Sequence, residues 1–398
     1  MERSVQQVSV RVFDLPLFHA GFRPFFLLAG LQAAVLVPAW LSQLLAGVDL
    51  GLPYSALLWH GHEMVFGFAG AAVAGFLLTA VPNWTGTPML KGAPVAALAG
   101  LWLATRIGFW LAGVLPAWVP ALLAVAFFPA LALVLAHRLI GAGKWRNIAF
   151  LPILAVLTVA DALVQAEMLG MAETGRTGLR LGIFTLLLMI TVVGGRIIPT
   201  FTANGLRPVG IVVQPKSRPR LDQSSIALLI VAALAAVFLP GSRESGGLLL
   251  VAGALQLARL AGWYGWRTTK VPLLWVLHLG YFWLGLGLLL LGLASFIPAL
   301  PPESALHALT VGCIGMMVLG VMSRVALGHT GRPLVAARPT VAAYGLIFLA
   351  AVIRVFGVMV DYTPALWLSA ASWSGGYLVF VILYGPICLG PRADGRTS

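Results

Sequence analysis

WHGHEMVFGFAGAAVAGFLLTAVPNWTG, residues 59–86, carries its polar residues at its two ends and an unbroken run of apolar and small residues from Met64 to Leu78 between them. Crossing the hydrocarbon takes about 20 mostly apolar residues in a helix. This stretch, with Leu57 and Leu58 before it, reads as one such span with histidines at its mouth. Comparable runs follow one another from Phe22 to Cys388, and the spans expected are 22–46, 57–81, 93–112, 116–138, 147–168, 178–200, 223–240, 246–265, 272–297, 303–327, 338–360 and 364–388. Of the 398 residues 60% are apolar and 9% charged, against roughly 25% charged in a soluble domain. The fold class is therefore an all-α polytopic membrane protein of about twelve transmembrane helices, a single transmembrane domain over residues 1–398 with the bilayer as its first partner.

Cytoplasmic loops of membrane proteins collect Lys and Arg. With a cytoplasmic N-terminus, Arg3, Arg11, Arg138, Lys144, Arg146, Arg207, Lys216, Arg218, Arg220, Arg267, Lys270, Arg332, Arg338, Arg392 and Arg396 fall inside, and only Arg176, Arg180 and Arg243 fall near outer ends. Both termini are thus expected in the cytoplasm of a bacterial inner-membrane protein. The net charge of +13 is a consequence of topology, and no nucleic-acid partner is expected. The first 20 residues lack the apolar core and small-residue cleavage site of a removable signal. Cys313 and Cys388 sit on separate spans and imply no disulfide, and no C-x-x-C-H attaches a haem covalently.

The second and tenth spans match at an offset of 245 residues: His62, Gly67, Gly70, Gly75, Thr85 and Gly86 correspond to His307, Gly312, Gly315, Gly320, Thr330 and Gly331. Gly194 and Gly205 of the sixth span repeat the last glycine spacing, with Leu181 in place of the histidine. The chain accordingly reads as three pseudo-repeated four-helix units, roughly 1–138, 139–268 and 269–398. Small residues let helices approach closely in lipid, and in these three spans they are expected to leave room for a flat ligand.

Imidazole inside the hydrocarbon is costly unless paired or ligated, which makes each membrane-embedded histidine a candidate for function. His60 and His62 open the second span and His307 opens the tenth at the same depth; His278 lies near the inner end of the ninth span and His329 beyond the tenth. His307 and His329, 22 residues apart, are separated by about 33 Å of helix and cannot share a metal. The repeat pairs His62 with His307, the geometry of a six-coordinate b-type haem. Copper uses the same ligand type, and three imidazoles from His60, His62 and His307 would suit it if the start of the second span is not regular; a regular helix sets His60 and His62 about 200° apart, against a shared ion. Glu63, three residues after His60, is placed to hold that ring's N–H, or else to relay protons. An inner layer of His278, Tyr281, Arg196, Arg324, His329 and Asn204 is expected to converge if the sixth, ninth and tenth spans pack together, its arginines offering bidentate anion contacts or simply anchoring helix ends. Cys313, Met316 and Met317 share a face and offer soft ligands, or packing.

GFRPFF (21–26), WHGHEMVFGFAG and AGFLLTAVPNWTG (59–86), GGRIIPTFTAN (194–204), LHLGYFW (277–283) and HALTVGCIGMMVLGVMSRVALGHTGRPL (307–334) resemble the NnrS family of membrane proteins over nearly the whole chain. The resemblance implies a bacterial membrane protein with haem and copper, acting in the nitric oxide response, nitrosative-stress resistance and denitrification, and it points to His60, His62, His278, His307 and His329 as ligand candidates. The twelve-helix plan is also similar to the catalytic subunit of haem–copper oxidases, an architectural analogy only. The expected function is binding or redox chemistry of nitric oxide or its iron-nitrosyl products, fed by a quinol or cytochrome; this would be a haem-dependent oxidoreductase if it turns over. The alternatives are a proton-coupled secondary transporter, which fits buried Glu63 and Arg196, and a haem-based sensor without turnover.

Overall fold

The computed structural model describes residues 12–143, 145–216 and 218–395; Arg3, Arg11, Lys144 and Arg396 of the topology argument lie outside them. Twelve long helices run through the described residues: α1 Phe22–Leu45, α2 Ala56–Thr85, α3 Ala93–Trp110, α4 Trp118–Gly141, α5 Phe150–Met168, α6 Gly175–Leu206, α7 Pro219–Phe238, α8 Arg243–Ala261, α9 Pro272–Ala294, α10 Pro302–Gly328, α11 Arg338–Val355 and α12 Tyr362–Leu389. Eleven are long and apolar enough to cross a membrane. The twelfth, α8, falls short because Arg243, Glu244 and Arg259 dilute its apolar sequence.

Neighbours in sequence pack side by side, and α12 returns against α1, which closes the bundle. Two contacts latch that seam. Trp373 donates its indole N–H to the Ala33 carbonyl at 3.0 Å, and Arg23 reaches the carbonyls of Cys388 and Gly390 at 2.9 and 2.6 Å. Inside the bundle α2, α6 and α10 meet one another. α2 is the most enclosed, with 89% of its most apolar window buried against 28% for the peripheral α7. The even helix count puts both termini on one side, called here the terminal side; α2 and α10 begin on the far side.

Neither α2 nor α10 is a regular α-helix throughout. A π-helical segment, Glu63–Ala69, follows His62, and another, Ala308–Gly315, follows His307, at the offset of 245 residues that relates the two sequences. Wider turns disturb the carbonyl ladder, and in lipid every backbone group needs an internal partner. Aromatic donors meet this need: Trp102 of α3 donates to Gly67 O at 3.0 Å and Tyr377 of α12 to Gly315 O at 2.9 Å. Both helices also end on a glycine in the left-handed region, Gly86 at φ 73° and Gly331 at φ 72°, a conformation that a Cβ disfavours. α6 differs: it is α-helical from Gly175 to Leu206, and its Gly205 packs within the helix on Leu274.

Most glycines of the sequence repeat are filled by neighbouring side chains instead of opening space for a ligand. A Cβ on Gly67 would meet Arg106, on Gly75 Phe26, on Gly312 Trp283 and on Gly315 Trp373, each within 2.7 Å. A close backbone approach lies elsewhere, where Gly246 and Gly253 of α8 face Gly285 and Gly292 of α9, the carbonyls of Gly285 and Gly246 sitting 2.8 Å from where side chains would begin. This seam lets the least apolar helix join the bundle by van der Waals contact. Gly253→Leu is expected to destabilise the protein by about 1–3 kcal/mol through overpacking, read as a lowered thermal midpoint in detergent, whereas Gly247→Leu, whose Cβ meets open space, leaves the midpoint unchanged.

Candidate functional site

A chain of buried polar side chains crosses the far-side half of the bundle. The His62 ring has Glu63 Oε1 3.0 Å from Nδ1 and Asp161 Oδ1 3.0 Å from Nε2. Arg106 Nη1 donates to Glu63 Oε1 at 2.6 Å and Gln32 to Glu63 Oε2 at 2.7 Å. Gln165 Nε2 lies 3.0 Å from Asp161 and 2.9 Å from His62. His62, Glu63 and Asp161 are at most 1% exposed. Arg106 gives Glu63 a buried countercharge, and the His62 ring lies between two carboxyl groups, one at each nitrogen. Gly67 is what admits Arg106, since any side chain there would collide with the guanidinium.

This arrangement corrects two expectations. Glu63 holds His62 and Arg106, not His60. His62 is not paired with His307: among the described residues its polar partners are Glu63, Asp161 and Gln165, and its ring neighbours are Phe66 and Phe109. Asp161, Gln165 and Arg106 went unnoticed because attention fell on histidines; a charged residue inside each of two apolar spans was the available signal.

His60 and His307 both lie in the first turns of their helices, on the far side. The His60 ring stacks on Trp40 of α1 with centroids 4.0 Å apart, and its Nδ1 is out of solvent with no hydrogen-bond partner. His307 Nδ1 donates to the Glu303 carbonyl at 2.6 Å, which fixes the tautomer and leaves the Nε2 lone pair open. A buried imidazole nitrogen without a partner is expensive, so ligation gives His60 a role that the protein alone does not supply. The donor set therefore fits an imidazole-ligated haem or a copper ion through His60 and His307. Among the described residues no three His, Cys, Asp or Glu side chains converge on a metal-sized point. The idea of one ion held by His60, His62 and His307 fails, because the two rings of α2 face different helices, α1 and α5.

The inner layer does not assemble as one cluster. His278 Nε2 donates to Thr202 Oγ1 at 2.8 Å, which itself donates to Ile198 O, and leaves Nδ1 buried and without a partner. Tyr281 belongs to a separate knot with Arg259 and Gln256, with Asp222 on the other edge of the guanidinium. Arg196 donates to Asn147 at 3.3 Å, Arg324 lies over the Phe201 ring at 4.1 Å, the His329 ring is beside Phe22 and Asn204 is exposed. Arg392, outside the spans, donates to His329 O, and its hydrogen bonds to Asp394 hold its own pKa above the usual value.

Between α2, α6 and α10 lies an apolar pocket walled by Ala69, Val73, Phe76, Met189, Met317 and Met322 among others. Of the repeat glycines only Gly194 lines it. Met317 faces this space, while Cys313 and Met316 are fully buried.

Fold and site together define a polytopic membrane protein with ligand-competent histidines at the start of two π-distorted central helices. The chain belongs to the NnrS family, matching the family described as NnrS protein over residues 16–392. No curated protein matches it.

Removing one partner of a buried ion pair leaves the other charge stranded. Arg106→Met is expected to cost about 3–5 kcal/mol, and Glu63→Gln added to it to recover most of the loss, as measured by a double-mutant cycle on thermal unfolding.

Proposed function

We propose that this protein holds haem b and copper in its far-side layer and serves the nitric oxide response by binding, or by redox chemistry on, nitric oxide or its iron-nitrosyl products. The observation that carries the proposal is the open nitrogen on each of two imidazoles at the far-side starts of α2 and α10, His60 Nδ1 without a partner and His307 Nε2 freed by the bond to Glu303. Membership of the NnrS family supports the same reading. When bound, the metal supplies diatomic-ligand binding and one-electron chemistry. Glu303 O orients His307, and Trp40 holds the His60 ring flat by stacking. The apolar cavity between α2, α6 and α10 suits an uncharged diatomic gas and repels ions. A quinol or a cytochrome is the proposed electron donor. The placement of Lys and Arg supports insertion in the inner membrane with both termini in the cytoplasm.

His62, Glu63 and Asp161 form a proton-exchanging chain beside this layer in the proposed scheme. The same chain favours a second reading, proton-coupled transport, for which a buried carboxylate–imidazole–carboxylate array is suitable machinery.

The two readings separate in one experiment on protein purified in detergent, with haem, iron and copper quantified and spectra recorded oxidised, reduced and after nitric oxide. His60→Ala and His307→Ala are expected to lose most of the bound haem or copper, and His62→Ala to retain it. Full retention in both of the first two variants overturns the assignment, and a folded wild type without metal favours transport.

A further inference from the structure

α1 nears its far-side end through Trp40 and Gln43, three residues apart and so neighbours on one face of the helix. Each keeps a polar atom out of solvent with nothing to bond among the described residues: the Trp40 indole N–H lacks an acceptor and Gln43 Oε1 lacks a donor. The Trp40 side chain is 5% exposed. A tryptophan near the end of a membrane helix ordinarily turns its N–H to headgroups or water. Burying it unmet beside an unmet amide oxygen is costly, and the two needs are opposite in kind.

That opposition narrows the occupant. A carboxylate or a diatomic gas accepts hydrogen bonds but has no hydrogen to give Gln43, whereas a ring-borne hydroxyl does both. The surroundings are apolar and aromatic: Trp40 belongs to one buried cluster with Leu36, Tyr54, Trp59 and Phe109, and the Trp59 indole N–H is a second buried donor without an acceptor. Leu44 beside Gln43 and Leu57 one turn before His60 are both exposed, so this corner of the bundle presents leucine to the bilayer. An occupant that is flat, carries hydroxyls and dissolves in lipid meets every one of these conditions.

We propose that Trp40 and Gln43 bind the hydroquinone headgroup of a membrane quinol, Gln43 Oε1 accepting from one of its O–H groups and the Trp40 indole donating to a ring oxygen. The His60 ring stacked on Trp40 at 4.0 Å sets this site against an imidazole of the cofactor layer. The role of the quinol as electron donor rests on the function proposed above; its binding rests on Trp40 and Gln43.

The test is saturation binding of decylubiquinol to the full chain in detergent, corrected for partition into protein-free micelles. Its dimethyl ether, which keeps the ring oxygens and lacks both O–H groups, is the second probe, and haem and copper are quantified on the same samples. Wild type is expected to bind decylubiquinol about tenfold more tightly than the ether, the equivalent of one hydrogen bond. Gln43→Leu is expected to lose that preference, and Trp40→Phe, which retains a ring against His60, to bind both probes about tenfold more weakly. Absence of saturable binding to wild type, or the same preference in wild type and Gln43→Leu, overturns the proposal and leaves a bound water as the partner of both side chains. Should Trp40→Phe fail to fold, the Gln43→Leu comparison decides alone. A wild type without metal that still prefers decylubiquinol through Gln43 sustains this proposal and defeats the cofactor reading, and a metal-loaded wild type without that preference does the reverse.

Discussion

The ion pair between Arg106 and Glu63, at 2.6 Å in the apolar interior, fixes how the far-side half of this protein is arranged. Neither charge survives alone in lipid, and their union dictates what surrounds them. Position 67 must lack a side chain to admit the guanidinium, Gln32 must approach from α1, and His62 must turn its Nδ1 to the carboxylate. Once His62 is committed there and to Asp161 of α5, it is no longer the ring that meets α10. His60 faces α1 instead, stacked on Trp40.

The same requirement for internal partners shapes the two central helices. A π segment directly after His62 and another directly after His307 re-aim the side chains that follow and loosen carbonyls, which Trp102 and Tyr377 then satisfy. Distortions of this kind concentrate at functional sites. Here they flank the layer whose imidazoles have open nitrogens and whose tryptophans Trp40 and Trp59 lack acceptors. His62 and Glu63 of α2 have partners for their polar atoms, whereas His60 Nδ1 and the Trp40 and Trp59 indole N–H groups do not. That contrast separates the part of the site that holds the fold from the part left for a ligand.

Much of the architecture was legible in the sequence because hydropathy alone marks helices in a bilayer. The helix count, the enclosed positions of α2, α6 and α10, and the glycine ends of α2 and α10 follow from local pattern. The π segments do not, since they depend on donors supplied from α3 and α12, far away in sequence. Glu63 was misassigned to His60 for a related reason: helix phase predicts the i to i+3 neighbour, whereas a buried cation on another helix decides where a carboxylate points. Glycine spacing suggested open space, but a gap in a packed interior is filled by the next side chain, as Trp283 fills the one at Gly312. Arg106 and Asp161 are each visible as a charge inside an apolar span, and their partners emerge only once the helices pack.

The central claim, that the ligand-competent face of this site is built by His60 and His307 while His62 is locked in a carboxylate network, is most directly tested by an electron cryo-microscopy map of the as-purified protein. The account predicts non-protein density contacting His60 and His307, with the His62 ring still bridging Glu63 and Asp161. Cofactor density coordinated by His62, with His60 left bare against Trp40, would contradict it.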